Sequence, residues 1–448
     1  MTGCDASGNA LAHRLNQLAT ANGLSTSYTH TSWANWTRRG IMPAAHVRPL
    51  IAQVLTERLG RPVSLSEIGL DIQDGLDSSI GLDFARDLPG AIHTATRFWS
   101  QVDRRDLLAS AGIALASYTA PVRRWLTTPA DTDASSTTTA AFRRVGQADI
   151  DELLAAADEA RWWDSRYGGG NWRASAIMSC LKERAAPLLH GSYNDATGKQ
   201  LFSATAQLSR LAGWTAFDSG DQALAERHYI QGLRQAKAAA DIPLGGYILA
   251  CMALQSTLSG FHDDAIDMVE GAYQRTNGVA TPRVRAFFKL IEARVWARAG
   301  HARSADAALV VAERLLDEAD GRSGDDPVWI DFFTYQRLAA DAVEIQRDLG
   351  RPAQAVGWSA HATACTDTYA RAYAIRQSVL GSTHVQGYHP DLEAAVHHGH
   401  QAVTALGGVR SARAMDYLNE LLARLDRWRG DPAVRTLTHR ARTELLTS

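Results

Sequence analysis

Glycine recurs at Gly220, Gly260 and Gly300, a spacing of 40 residues; after a ten-residue insertion the register resumes at Gly350, passes the pair His389-Pro390 and reaches Gly430. Alanine keeps step with it, at Ala225, Ala265, Ala305, Ala355 and Ala395. A unit this short cannot bury its own apolar face and must stack on its neighbours, which restricts the chain to an array of supersecondary units. Each unit reads as helix, short turn, helix. Glycine ends the first helix because it tolerates the left-handed backbone of a helix C-terminus, and the alanine lets the second helix approach closely. In the first unit Leu208, Leu211 and Ala212 face Leu224, His228 or Tyr229, and Leu233 at helical spacings, while strand signals are nearly absent. The expected fold class is all-α, an N-terminal helical bundle followed by an α-solenoid.

Composition agrees with a folded globular chain: 448 residues, 46% hydrophobic and 21% charged, without a long biased tract. The net charge of -2 is uneven, because residues 1–62 carry Arg14, Arg38, Arg39, Arg48, Arg58 and Arg61 against Asp5 and Glu57. That leaves +4 at the front and -6 elsewhere. Cys4, Cys180, Cys251 and Cys365 stand far apart with no C-x-x-C pairing, which argues against a zinc ribbon or a disulfide framework and for a reducing cytoplasm. The most apolar stretch, Leu107 to Val122, is interrupted by Ser110, Ser117 and Tyr118 and falls short of the roughly 20 residues of a membrane span. It reads as a buried helix, and no membrane partner is expected.

Three regions follow: 1–70, a DNA-binding bundle; 71–146, a helical connector with a Ser-, Thr- and Asp-rich linker at Thr127 to Ala141; and 147–448, the repeat array. At the head of the array, helices Asp149 to Ser165 and Trp172 to Leu189 are joined by Tyr167-Gly168-Gly169-Gly170-Asn171. A triple glycine can cradle phosphate, but no strand precedes it and no Gly-Lys-Ser/Thr follows, so a hinge between helices is the expectation.

The front region carries a helix from Asn9 to Ala21 with Leu11, Leu15 and Leu18 on one face, and a turn at Gly23. In the next helix, Thr29 to Arg39, Trp33 and Trp36 anchor to a core while Thr31, Asn35 and Arg38 fall opposite. Asparagine pairs bidentately with adenine, arginine with guanine, and threonine meets a thymine methyl or a phosphate, the chemistry of major-groove readout. Arg39 and Arg48 are placed to hold phosphates. A third helix, Val47 to Leu59, supplies Leu50, Ile51, Val54 and Leu55 to the same core. Double-stranded DNA is the expected partner, and a homodimer would present two half-sites.

In the array, the stacked first helices line an inner surface, the usual binding face of a solenoid. Arg210, Trp214, Arg294, Arg298, Arg337 and Arg347 are the candidate ligand-binding residues there, arginines clamping a carboxylate beside an apolar wall. A peptide, small-molecule or protein effector fits that chemistry; pairing of these arginines with Glu292, Glu344 or Asp348 is the equally available alternative. Glu393, His397 and His400 share a helical face near His384, His389 and His398, but no cysteine or second carboxylate cluster completes a zinc set. No G-x-S-x-G, H-E-x-x-H or Walker sequence occurs, so neither an enzyme nor a cofactor or metal is expected.

Thr31-Ser32-Trp33-Ala34-Asn35-Trp36-Thr37-Arg38-Arg39-Gly40, followed by Pro43, resembles the third helix of the phage-repressor-like helix-turn-helix family. The loop Leu24 to Tyr28 leaves little room for a regular second helix, so the motif is abbreviated. Leu211-Ala212-Gly213-Trp214, Gly220-Asp221, Ala225 and Tyr229 resemble tetratricopeptide positions, although the 40-residue period also suits HEAT and armadillo units. With Leu59-Gly60-Arg61-Pro62-Val63, Asp103-Arg104-Arg105 and Thr281-Pro282-Arg283-Val284-Arg285-Ala286, nearly the whole chain resembles actinobacterial, Streptomyces-type regulators with an N-terminal helix-turn-helix and C-terminal tetratricopeptide repeats. The resemblance implies a cytoplasmic transcriptional regulator, a repressor or an activator, in sporulation or antibiotic biosynthesis. A non-catalytic tetratricopeptide scaffold acting only through protein contacts is the rival reading.

Overall fold

The computed structural model describes residues 8–21, 27–38, 43, 47–59, 61, 63, 68, 80–101, 116–136, 143–170, 174–321, 326–362 and 369–445. The chain forms two compact units, Met1–Ser78 and Ser79–Ser448. Both are helical, and the β-structure among the described residues amounts to two isolated bridges, Ser136 to Tyr193 and Arg144 to Ser192.

In the first unit α1 (Gly8–Ala21), α2 (His30–Arg38) and α3 (Arg48–Leu59) enclose one core. Leu11, Leu15 and Leu18 of α1 meet Trp33 of α2 and Leu50, Ile51, Val54 and Leu55 of α3, with Trp36 and Tyr28 packed on the edge. The side chain of Asn16 pins the approach to α2 onto α1: its Nδ2 donates to the Tyr28 carbonyl at 2.8 Å and its Oδ1 accepts the Tyr28 N–H at 2.9 Å. One amide thus satisfies both backbone groups of a residue outside regular structure, which fixes where α2 begins.

The second unit opens with α4 (Leu88–Gln101), α5 (Ala116–Thr127) and α6 (Gln147–Tyr167). Next, α7 (Ala174–Ser179) runs through a π-helical turn, Cys180–Ala185, into α8 (Ala186–Leu189). Helix pairs then follow: α9 (Asp195–Asp218) with α10 (Gln222–Ala238), α11 (Ile242–Leu258) with α12 (His262–Arg275), and α13 (Pro282–Arg298) with α14 (Ala302–Asp320). The last three pairs are α15 (Tyr335–Asp348) with α16 (Pro352–Ser359), α17 (Ala370–His384) with α18 (Leu392–Leu406), and α19 (Ala412–Leu425) with α20 (Pro432–Leu445).

The 40-residue register has a single physical cause. Gly220, Gly260, Gly300 and Gly350 all sit at positive φ, between 70° and 88°. Each closes the same double cap: at the first, Gly220 N–H donates to Phe217 O and Asp221 N–H to Ala216 O, and the pattern repeats at Gly260, Gly300 and Gly350. In the fifth pair Pro390 holds the register position directly before the N-cap Asp391, and Gly387, at φ 83°, lies three residues earlier in the turn. The companion alanines Ala225, Ala265, Ala305, Ala355 and Ala395 are wholly buried where the two helices of a pair touch.

The connector departs from its expected form. From residue 79 onward the chain belongs to the second unit, not to an intervening linker. It lies over α10, whose polar side chains satisfy its irregular backbone. Arg227 Nε donates to Ile80 O, Gln231 Nε2 to Gly81 O and Asp83 O, and Arg234 to Ala85 O and Asp87 O, at 2.7–3.0 Å. Asp131 returns the interaction to Arg234 and Lys237 at 2.9 and 2.5 Å. On the other side, α5 buries Trp125 against Gly245 and Leu126 against Gly271. The Ser- and Thr-rich stretch is therefore packed at least to Ser136, which bridges to Tyr193; residues 137–142 lie outside the described residues, as do residues 102–115 of the expected apolar helix.

Glu226 is a cost of this burial. It is 2% exposed and its Oε1 has no hydrogen-bond partner among the described residues; desolvation pushes its carboxyl up to about 7, against the pull of Arg227 and Ser117. A folded value raised above the unfolded one contributes stability that is full below about 4.5 and is lost as the pH rises through 7. Glu226→Gln is therefore expected to stabilise the second unit at pH 8, by at most ~3 kcal/mol at ~1.4 kcal/mol per pH unit. The gain should shrink toward zero near pH 4.5 in urea titrations run at the two pH values.

Candidate functional site

The array closes on itself. The inner helices follow one another from α6 through α19, and α17 then packs on α6 while α19 packs on α9. The seam is polar and dominated by Asp218, the last residue of α9, which is fully buried. Its Oδ2 accepts the Gly169 N–H at 2.8 Å and Arg371 Nη1 at 3.1 Å; its Oδ1 accepts Ser411 Oγ–H at 2.9 Å and Arg413 Nε at 3.1 Å. Burial pushes this carboxyl up, but Arg371, Arg413 and the two neutral donors overcome that and hold it below the usual aspartate range. Arg371 also forms a two-pronged pair with Asp164 of α6, at 2.7 and 2.8 Å.

The triple glycine belongs to this seam. Gly168 has φ 78°, and a Cβ there would stand 2.7 Å from Arg410 O; one on Gly169 would stand 2.5 Å from Thr215 O. The Gly170 N–H donates to Arg410 O and the Arg410 N–H to Tyr167 O, at 2.9 and 3.1 Å. The amides of Gly168, Gly169 and Gly170 are spent on Asp164 O, the Asp218 carboxylate and Arg410 O, so they do not cradle a phosphate. The segment is a docking point as well as the expected hinge.

Behind the seam lies a cavity of about 220 Å³. Five arginines reach it, Arg294, Arg337, Arg371, Arg376 and Arg413, against two carboxylates, Asp341 and Glu344. Trp214, Phe332, Tyr369, Tyr373, Ile375 and Val379 supply the apolar wall. Arg371 and Arg413 both lie over the Trp214 ring, at 5.7 and 4.9 Å from its centre. Arg294 donates to Asp341 at 3.1 Å and to Glu344 at 2.8 Å. Glu344 is buried, but Arg294, Arg298 and Arg347, with the Tyr417 hydroxyl, hold it down to about 2. It stays charged at any physiological pH.

Of the six ligand-binding residues expected from sequence, the structure brings Trp214, Arg294 and Arg337 to the cavity. It does not bring Arg210, Arg298 or Arg347 there. Arg210 is buried over the Tyr247 ring at 4.9 Å. Arg298 pairs with Asp348 at 2.8 Å, and Arg347 with Asp348 and Glu420 at 2.7 and 2.8 Å. For these two, pairing within the protein is what the structure displays; Glu292 is taken by Lys289. Sequence reasoning missed Arg371, Arg376 and Arg413. The signal was available, since they stand on the first helices of the last two pairs, where the inner-face register continues.

In the first unit Thr31 is exposed on α2. Asn35, Arg38 and Arg48 lie within α2 and α3, but their side chains are outside the described residues, and Arg39 lies wholly outside them. Among the histidines, His384 and His398 stack at 5.3 Å and His398 Nδ1 meets Gln377 Oε1 at 2.6 Å. The described residues contain no group of three His, Cys, Asp or Glu side chains arranged to hold a metal ion. None of the described helices is long and apolar enough to cross a membrane.

A family model described as the SP15 N-terminal domain matches residues 1–71, nearly the extent of the first compact unit. No curated protein and no solved structure matches the chain.

Proposed function

We propose that the protein is a DNA-binding transcriptional regulator that responds to a small effector. The three-helix unit binds double-stranded DNA, and the tetratricopeptide-like array binds the effector and supports a homodimer in the cytoplasm. The observation that carries this reading is the convergence of five arginines and an aromatic wall on one cavity of the closed array. A cavity of that make-up suits recognition of an anionic ligand. It suits catalysis poorly: Asp341 and Glu344 are both engaged by arginines, and Glu344, held at about 2, is far from the range of a general acid or base near neutral pH. The assignment to sporulation or antibiotic biosynthesis rests on the family resemblance alone.

Selection of duplexes from a random pool by the full chain tests the DNA half. The expected result is enrichment of one motif, and an Asn35→Ala, Arg38→Ala double variant should flatten the preference, each lost base contact reducing discrimination by ~1–3 kcal/mol. Full retention of the preference by the double variant would remove the assigned recognition face. No enrichment at all would favour the scaffold reading.

A further inference from the structure

Two of the cavity's arginines are not neutralised like the rest. Arg371 and Arg413 are held by Asp164 and Asp218, and Arg294 by Asp341 and Glu344. Among the described residues Arg337 meets one carboxylate, its Nε donating to Asp341 Oδ2 at 2.6 Å, which it shares with Arg294, and its guanidinium lies 5.8 Å from the centre of the Phe332 ring. Arg376 meets no carboxylate among the described residues. Its Nη1 donates to the Ala362 carbonyl at 2.7 Å, and its guanidinium lies over the Tyr373 ring at 5.7 Å. Burial pushes Arg376 down from its ordinary value, and the nearby Arg337 charge pushes the same way, opposed only by Tyr373. Arg337 and Arg376 both line the cavity and are half-buried.

We infer that the cavity binds a small organic carboxylate with a flat apolar body, its carboxylate clamped by Arg376 and Arg337 and its body set against Phe332, Ile375, Val379 and Tyr373. A guanidinium presents a planar fork that matches a carboxylate edge to edge, and two accessible forks in a partly dry site favour a bound anion over water. The volume, about 220 Å³, lies below the ~300–1,000 Å³ of sites for drug-sized molecules. That size suits a small molecule among the effector classes. The assignment rests on reading the cavity as an effector site, and it is tested without DNA, so that failure here and failure of DNA binding are separate results.

The test is calorimetric titration of the full chain with benzoate, phenylacetate and indole-3-acetate, beside phenyl phosphate and benzyl alcohol. At least one of the three acids is expected to bind with one site per chain, and benzyl alcohol should bind at least tenfold more weakly. Arg376→Gln should weaken the acid at least tenfold while the free protein keeps its cooperative thermal transition, because the native side chain has one backbone hydrogen bond and the Tyr373 ring contact to lose. Should that variant fail to fold, Arg376→Lys serves: it keeps the charge, lacks the fork and should weaken the acid severalfold. No binding by any of the acids, equal binding of benzyl alcohol, tighter binding of phenyl phosphate than of all three acids, or unchanged affinity in a folded Arg376 variant would each overturn the inference.

Discussion

Asp218→Ala should lower the stability of the second unit by about 3–5 kcal/mol, the range for removing one partner of a buried ion pair. The loss would be read as a shift of the urea midpoint at pH 7. The substitution takes the carboxylate from Arg413 and one of two carboxylates from Arg371, and releases the Gly169 N–H and the Ser411 hydroxyl in the same stroke. Arg371 retains Asp164, so the inner helices of the early pairs should hold while α17 and α19 loosen from α6 and α9. The pH dependence has a definite sign. A carboxyl whose folded value is depressed contributes stability that is present above its unfolded value, near 3.8 here, and is lost as the pH falls through the lower folded value. Glu344, held at about 2, acts in the same window from its ordinary 4.5 downward. Acid should therefore open the native array below about pH 4, with Asp218→Ala showing a smaller acid-induced loss because part of it is already gone.

Trp33→Ala should unfold the first unit while leaving the second intact. Trp33 is 7% exposed and sits where α1, α2 and α3 meet, 5.9 Å from the Trp36 ring. Truncating a buried tryptophan costs about 3–5 kcal/mol. A unit of this size has little more than that to lose. Thermal unfolding of the wild-type chain should show the first unit's transition, and the variant should lack it while keeping the transition of the array. DNA binding should disappear with it. A Trp33→Ala protein that binds DNA with undiminished affinity and salt dependence would place the DNA surface elsewhere.

The repeat register was legible because its cause is local. A left-handed helix cap admits glycine almost alone, so Gly220, Gly260, Gly300 and Gly350 report a backbone conformation directly. Where another residue takes that conformation the signal fails: Ala240, at φ 55°, caps α10 with the same double hydrogen bond, through Ala240 N–H to Lys237 O and Asp241 N–H to Ala236 O. The core of the first unit was likewise legible, since its leucines and tryptophans recur at helical spacing. What could not be read were contacts between positions far apart in the chain. The polar side of α10 looks like a solvated face in sequence, yet Arg227, Gln231 and Arg234 are buried under the segment near residue 80. The same holds for the site. Trp214, Arg294 and Arg337 follow from the inner-face register, which Arg371, Arg376 and Arg413 continue, whereas the packing of α17 on α6 and of α19 on α9 that gathers them at one seam joins positions far apart in the chain.

The closure of the array is tested most directly by hydrogen exchange at the amides of Gly169, Gly170 and Arg410. The hydrogen bonds of Gly170 and Arg410, to Arg410 O and Tyr167 O, join segments about 240 positions apart, and that of Gly169 to Asp218 fastens the hinge to the end of α9. At neutral pH these three amides should be protected to a level approaching that of the buried helices α9 to α13, and Asp218→Ala should release all three together. Exchange at the rate of open loops in the native protein, with α9 to α13 still protected, would contradict the closed array and with it the cavity on which the effector site depends.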